Sequence, residues 1–229
     1  MSFKLKILGL GLLAMMATSA VAVMNASATV GGHFTADPPT HVLKVKGTEQ
    51  AGTGHQLTFT EINKSTTATE GTGIQCTHAG YHGELTGAAA TTTQSVQVRP
   101  TYSQCLTAGA GSHNVTVHVP AGCGTNVFEF KSGHGGTVNL NCTITITHPN
   151  CTIQVKSGQK LSGITYHTVV ESNKHAFTLT ANVKHITGEY HSGICVFLGT
   201  THHFEMVGSA TVWGEDKDGN RVNITHTAT

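Results

Sequence analysis

The stretch Thr143-Ile-Thr-Ile-Thr147, followed closely by Thr152-Ile-Gln-Val155, shows the pattern that decides the fold. Apolar and polar residues alternate one by one, and successive side chains of an extended chain point to opposite faces. A sheet built from such segments has one dry face and one wet face, which is typical of antiparallel sheets. Both stretches are therefore predicted to be β-strands.

The same alternation recurs along most of the chain, with glycine-containing turns such as Gly133-His-Gly-Gly136 between the segments. No segment after the N-terminus shows helical periodicity. The sequence therefore predicts an all-β protein with an antiparallel β-sandwich architecture, in which Trp213 packs into the core. The further alternating segments are 41–46, 56–60, 95–98, 114–119, 126–131, 137–140, 176–180, 210–213 and 221–225.

Three short segments recur in the same order about 120 residues later, which predicts an internally duplicated β unit. We expect a first unit with a hairpin extension at 29–150 and a second unit at 151–229. Two small domains and the two halves of one pseudo-symmetric domain both agree with this pattern. The matching segments are 55–60 with 175–180, 73–76 with 193–195, and 82–87 with 203–208.

Residues 1–28 have the features of a secretory signal peptide. Lys4 and Lys6 form a short positive region, the apolar segment 7–17 follows, and small residues precede a cleavage site after Ala28. The alternative is an uncleaved membrane anchor, for which the apolar run is short. We therefore expect a secreted, extracellular protein with no membrane contact after cleavage.

The even number of cysteines in an exported chain predicts disulfide bonds. Six cysteines allow 15 pairings, and we expect sequential pairing because each loop then closes locally around a hairpin. The predicted bonds are Cys76–Cys105, Cys123–Cys142 and Cys151–Cys195.

Histidine is unusually abundant, with 16 residues spread through the chain. Residues two apart on a strand share a face, so a His-x-Glu segment points two metal ligands the same way. Such segments occur at His82/Glu84 and at His203/Glu205, in matching parts of the two predicted units. If the units pack around a twofold axis, these four side chains form a zinc site; the alternative is that both pairs lie on solvent faces. The histidines also predict that solubility or binding changes between pH 7.5 and 5.

Other classes of function find little support in the composition. The chain has 13 basic and 12 acidic residues, which excludes the basic surface that nucleic-acid binding requires. No Gly-x-Ser-x-Gly segment is present, and only three aspartates occur, so a Ser-His-Asp triad is hard to assemble. We therefore expect no enzyme and no cofactor, with zinc as the one open possibility.

The segment Arg99-Pro-Thr-Tyr-Ser-Gln-Cys105, between Cys76 and Cys123, resembles a pattern in uncharacterised secreted β-rich bacterial proteins. The resemblance implies export and disulfides, and it brings no known activity or functional residues. We expect a non-catalytic extracellular or surface module for adhesion, matrix contact or ligand binding, with a polymer, a surface or a protein as its partner. A metal-binding protein or zinc-dependent extracellular hydrolase that uses the His-x-Glu pairs is the alternative.

Overall fold

The alternating segments form strands of a single antiparallel sheet in the computed structural model, which describes residues 32–49, 57–108, 112–121, 126–130, 135–195 and 203–227. The predicted signal peptide lies outside these ranges. Gly87–Ala90 form one turn of 3₁₀ helix. The strands are β1 (His33–Asp37), β2 (Val42–Glu49), β3 (Leu57–Ile62), β4 (Thr69–Thr86), β5 (Thr92–Thr93), β6 (Ser95–Thr107), β7 (Asn114–His118), β8 (Asn126–Phe130), β9 (Gly135–Leu140), β10 (Ile144–His148), β11 (Cys151–Val155), β12 (Gln159–Glu171), β13 (Lys174–Gly193), β14 (His203–Glu215) and β15 (Arg221–Thr227).

Several short strands follow one another along the same line of the sheet. β2 and β3 both pair with β14 and β4, so they form one interrupted strand. β7 and β8 continue one another in the same way, as do β9 and β10, and β11 and β12. We call these four runs and the long strands β4, β6, β13 and β14 the eight strand lines of the described sheet.

The sheet closes on itself. Each strand line pairs with the next one along the chain, and the last line, β14, pairs with both halves of the first, β2 and β3. Every pairing between lines is antiparallel. We call this structure the closed sheet. Eight strands leave an interior just wide enough for side chains or one small ligand.

Alternation along each strand separates the interior of the closed sheet from its outer face. On β14, residues 204, 208, 210, 212 and 214 are buried, whereas the odd-numbered residues are more exposed. Gly188 on β13 leaves room for the inward Phe204, because a Cβ atom at Gly188 would lie 2.7 Å from the Phe204 ring. The interior therefore holds a continuous hydrophobic core, and every strand line with described side chains contributes residues to it.

One end of the closed sheet is covered by β1 and β15, which pair with each other. The ring of Phe34 on β1 lies 5.4 Å from Tyr166 and 5.3 Å from Phe177, both of which are buried. We call this end the covered end. The opposite end, where β3, β6, β10 and β13 finish, we call the polar end, because buried polar side chains lie there.

The all-β, antiparallel prediction is confirmed, but its sandwich part is not. A sandwich needs two sheets packed face to face, whereas the described strands belong to one sheet. The duplication also stays a prediction: the matched residues Leu57 and Phe177 pair with Cys76 and Val212, which are not matched positions. The boundary predicted between 150 and 151 falls in the turn of the β10–β11 hairpin, and Gly31–Thr229 form one unit.

Two of the three predicted disulfides are confirmed, Cys76–Cys105 and Cys151–Cys195. Cys142 is disulfide-bonded too, and Cys123, its predicted partner, lies outside the described residues. Such bonds form and persist in oxidising environments, which agrees with an extracellular location. The described ranges contain no helix that is long and apolar enough to span a membrane.

The prediction that Trp213 packs into the core is wrong, because this residue lies on the outer face. The guanidinium of Arg221 lies 4.3 Å from the centre of the Trp213 ring, in the geometry of a cation–π contact. The indole N–H donates a hydrogen bond to Glu215 at 3.0 Å, and Glu215 forms an ion pair with Lys46 at 2.6 Å. These contacts lower the pKa of the Glu215 carboxyl, with the Lys46 hydrogen bond as the largest favourable cause and burial opposing it.

Candidate functional site

The first predicted metal-binding pair, His82 and Glu84, lies on the outer face of β4 and is exposed. His82 is directly opposite Lys46 on one side and Arg99 on the other, and Glu84 is opposite Lys44. Cationic neighbours on both sides of His82 disfavour a metal cation there, and an opposed Lys–Glu pair is ordinary cross-strand stabilisation.

The second pair, His203 and Glu205, lies far from the first on the outer face of β14. Lys46 on β2 pairs with His82 on one side and with Trp213 on the other, so His82 and Trp213 lie at the same height in the sheet. His203 is ten residues away from Trp213 along β14. At about 3.3 Å per residue, this separates the pairs by roughly 30 Å. Glu205 Oε1 forms an ion pair with Lys184 Nζ at 3.9 Å. The structure therefore does not bring the four side chains together, and among the described residues no group of three His, Cys, Asp or Glu side chains is placed to hold a metal.

The interior of the closed sheet contains an apolar cavity of about 80 Å³. All eight strand lines contribute side chains to its wall, so it lies at the centre of the closed sheet. Tyr81 and Tyr102 are the lining residues whose side chains carry a hydroxyl group. Burial and the neighbouring Tyr81 raise the pKa of Tyr102, which keeps this phenol neutral. The residues that line the cavity are Leu57, Phe59, Ile74, Cys76, Tyr81, Pro100, Tyr102, Val117, Val138, Leu140, Ile144, Ile146, Val155, Leu161, Ile164, Leu179, Ala181, Ile186 and Met206.

A second apolar cavity of about 40 Å³ lies towards the covered end. Phe34 and Ile224, from the β1–β15 pair, line it together with Tyr166 and Phe177. Burial raises the pKa of Tyr166, so this phenol is also neutral at physiological pH. The described residues that line the two cavities therefore include no charged side chain.

The polar end contains a buried carboxylate, Glu61, which is 0% exposed. Leu57 and Phe59 line the cavity from β3, and Glu61 is the next residue of the same strand that faces inward. The hydroxyl of Tyr190 donates a hydrogen bond to Glu61 Oε2 at 2.8 Å. The carboxyl group of Glu61 is thus one inward-facing position further along β3 than the cavity wall, a distance of about 7 Å along the strand.

A second glutamate faces Glu61 across the strand pair. Glu70 on β4 is directly opposite Glu61, and Asn63 Nδ2 donates a hydrogen bond to Glu70 Oε1 at 3.2 Å. Burial, the hydrogen bond to Glu61 and the charges of both glutamates raise the pKa of Tyr190, so the phenol keeps its proton and acts as the donor. The polar end therefore places two glutamate side chains on directly opposed strand positions.

Two stacked aromatic rings lie beside this carboxylate. Phe59 and Phe204 stack with their centroids 4.6 Å apart and their planes 16° apart. Phe204 is 0% exposed and is paired directly with Glu61 across β14 and β3. The layer above the cavity thus combines the Glu61 carboxyl group, the Tyr190 hydroxyl donor and the Phe204 ring.

His148 is another buried polar side chain at the polar end, with an exposed fraction of 5%. Its Nδ1 accepts a hydrogen bond from the backbone N–H of Asn150 at 3.2 Å, and the ring of His113 lies 5.4 Å away, edge to face. Burial, with a smaller effect of His113, lowers the pKa of His148. Burial therefore favours the neutral form of this imidazole.

This geometry gives a pH prediction. Because the pKa of His148 is lower in the folded than in the unfolded chain, the folded protein binds this proton less readily. Its contribution to stability is complete above about pH 6.5 and decreases as the pH falls below that value, by up to about 1.4 kcal/mol per pH unit. Urea unfolding at several values between about pH 7.5 and 5.5 should show a weaker pH dependence for His148→Gln than for the wild type. The same change at the exposed His118 should leave the dependence as it is; equal slopes for wild type and His148→Gln would contradict the prediction.

The residues of the polar end were not predicted from the sequence. Glu61 was detectable, because it continues the inward phase set by Leu57 and Phe59, and a carboxylate in that phase is unusual. Tyr190 lies at the far end of β13 and meets Glu61 only because the sheet closes. No family model, curated protein or solved structure matches this chain. The resemblance to secreted bacterial proteins therefore stays a prediction, and function has to be argued from the site itself.

Proposed function

We propose that this chain is a secreted binding protein that encloses a small apolar molecule inside its closed sheet. The observation that carries the proposal is the central cavity, with its apolar wall built from all eight strand lines. An enclosed apolar space with a few polar groups at one end is the usual form of a small-molecule site. Ligand binding therefore accounts for the interior better than adhesion or matrix contact, which would use the outer face.

The size of the cavity limits the ligand. A cavity needs about 10–15 Å³ to hold one water molecule, so a cavity of about 80 Å³ holds some five to eight non-hydrogen atoms. Transfer of about seven carbon atoms from water at about 0.8 kcal/mol each gives a Kd of about 0.1 mM. This affinity suits a carrier or scavenger of a small molecule.

Export is part of the proposal. The N-terminal segment 1–28 has the composition of a signal peptide, and the disulfides require an oxidising compartment. An extracellular binder of a small apolar molecule agrees with both features and needs no catalytic group.

Toluene, with seven carbon atoms, is a suitable probe of the cavity. At about ten times its Kd it should raise the free energy of unfolding by about 1.4 kcal/mol, which corresponds to an increase in Tm of about 3–6 °C. Calorimetric titration gives the Kd directly. The variant Ala181→Leu adds three carbon atoms to the cavity wall and should abolish binding.

The matched control is Val207→Leu, which adds bulk to the outer face of the neighbouring strand and should leave binding unchanged. Binding of toluene that survives Ala181→Leu would locate the ligand outside the cavity. The absence of any toluene binding to the wild type would contradict the proposed function.

A further inference from the structure

We propose that the natural ligand is an unbranched, uncharged aliphatic molecule of about 8–12 non-hydrogen atoms that occupies both apolar cavities at once. The inference rests on the proposed function, since it names the class of molecule that the closed sheet encloses. It is carried by three features of the interior: the order of the two cavities along the strands, the two side chains that they share, and the lack of charge in their described walls.

The two cavities follow one another along the strands. On β13, Phe177 lines the second cavity, Leu179 lines both, and Ala181 lines the central cavity. These three positions cover about 13 Å of the strand. On β6 the order is the same, with Val98 in the second cavity and Pro100 in the central one. The cavities are therefore two sections of one path inside a sheet of eight strands, which is only wide enough for a narrow molecule.

Two side chains form the boundary between the cavities. Tyr81 on β4 and Leu179 on β13 are the described residues that line both of them. The ring of Tyr81 lies against Gly47, which is directly opposite it on β2, and a Cβ atom at Gly47 would be 3.2 Å from that ring. Leu179 is an aliphatic side chain with several rotamers. A change of its rotamer is therefore the simplest way to join the two cavities.

The gain in affinity from joining the cavities exceeds its cost. The second cavity, of about 40 Å³, holds some three to four further non-hydrogen atoms. Each additional buried CH₂ group strengthens binding about fourfold, so three of them give a factor of about sixty. A less favourable rotamer of Leu179 weakens binding by up to about tenfold. A chain that extends through both cavities is thus favoured over one that fills the central cavity alone.

The walls of the two cavities select an uncharged ligand. The described residues that line them include no charged side chain. Burial raises the pKa of Tyr102 and of Tyr166, so these phenols supply no charge either. A carboxylate or ammonium group placed in either cavity would lose its water without gaining an ionic partner there, which is costly. The interior therefore disfavours fatty acids and amines relative to neutral chains of the same length.

The test measures the affinities of 1-hexanol, 1-octanol and 1-decanol for the wild-type protein at neutral pH, by calorimetric titration. 1-Hexanol, with seven non-hydrogen atoms, fits the central cavity, whereas 1-decanol, with eleven, needs both cavities. The hydroxyl group is the same throughout the series, so differences in affinity report the chain. We expect 1-decanol to bind at least tenfold more tightly than 1-hexanol, with one molecule per protein chain.

Two further probes with ten carbon atoms test the shape and the charge of the ligand. 1-Adamantanol has as many non-hydrogen atoms as 1-decanol, but its compact cage cannot extend through both cavities, so it should bind at least tenfold more weakly. Decanoate is negatively charged and should also bind more weakly than 1-decanol. If 1-adamantanol binds as tightly as 1-decanol, the unbranched shape is overturned, and if decanoate does so, the requirement for an uncharged ligand is overturned.

The variant Val45→Phe adds four carbon atoms to the wall of the second cavity, which Val45 lines without lining the central one. It should lose the preference for 1-decanol over 1-hexanol and still bind toluene, which also shows that the variant is folded. The matched control is Val207→Phe, on the outer face of β14, which should keep the preference of the wild type. The comparisons on the wild type need no variant, so they decide the inference even if Val45→Phe does not fold.

The outcomes separate this inference from the proposed function. Equal affinities for 1-hexanol and 1-decanol would overturn the joined cavities, while binding of toluene would still support the central cavity as a site. A folded Val45→Phe protein that prefers 1-decanol as strongly as the wild type does would overturn the role of the second cavity. If neither toluene nor any of the alcohols binds, both proposals are overturned.

Discussion

Replacement of Phe204 by alanine is expected to lower the free energy of unfolding by about 3–5 kcal/mol, the usual cost of truncating a buried phenylalanine. The Phe204 side chain is 0% exposed, and its ring stacks on Phe59 at a centroid distance of 4.6 Å. Gly188 leaves room for this ring and has no side chain that could fill the space after truncation. The closed sheet holds the surrounding strands in place, so the cavity should collapse only in part.

Urea unfolding followed by circular dichroism measures this loss, which corresponds to a decrease in Tm of roughly 6–20 °C. The matched control is Val207→Ala on the same strand, where the side chain is 37% exposed on the outer face and the expected loss is under about 1 kcal/mol. If the two variants unfold at similar urea concentrations, Phe204 does not have the central packing role that the structure gives it.

The class of fold was predictable from the sequence, and the closure of the sheet was not. Alternation in segments such as 143–147 and 152–155 shows that each strand has a dry face and a wet face. It does not show whether the dry face meets a second sheet or the interior of the same sheet. That difference depends on the pairing of β14 with β2 and β3, about 160 residues apart along the chain, for which no local signal exists.

The predicted disulfides were correct for a reason that the topology explains. Sequential pairing lets each bond close a local hairpin. In the closed sheet each strand line pairs with the next along the chain, so cysteines that are close in sequence lie on neighbouring strands. Cys76 and Cys105, for example, are directly opposite each other on β4 and β6.

The candidate site was harder to predict because its parts come from distant segments. The His-x-Glu pairs recur in the sequence, yet a recurring segment says nothing about where its copies lie in space. Glu61 lies one residue beyond the recurring segment, which ends at Thr60, so the repeat does not mark it. Its meeting with Tyr190, 129 residues later in the chain, depends on the closed sheet.

Loss of the Cys151–Cys195 disulfide is expected to lower the free energy of unfolding by about 4 kcal/mol. The bond closes a loop with a sequence separation of 44, and constraint of the unfolded chain by a loop of that length has about this value. Both sulfurs belong to buried residues, so alanine is the better replacement, since serine would bury a hydroxyl group.

Backbone contacts beside this disulfide do not depend on the covalent bond. The backbone N–H of Ile194 donates a hydrogen bond to the carbonyl of Asn150 at 3.0 Å, and Cys151 pairs with Gly193. The double variant Cys151→Ala/Cys195→Ala should therefore keep its strand pairing at low urea concentration and unfold at a much lower urea midpoint. The matched control, Thr152→Ser/Ser192→Ala, changes the next pair of opposed residues on β11 and β13 and should cost under about 1 kcal/mol. Equal midpoints for the cysteine variant and the wild type would mean that the polar end is held by strand pairing alone, because the covalent link would then add nothing to it.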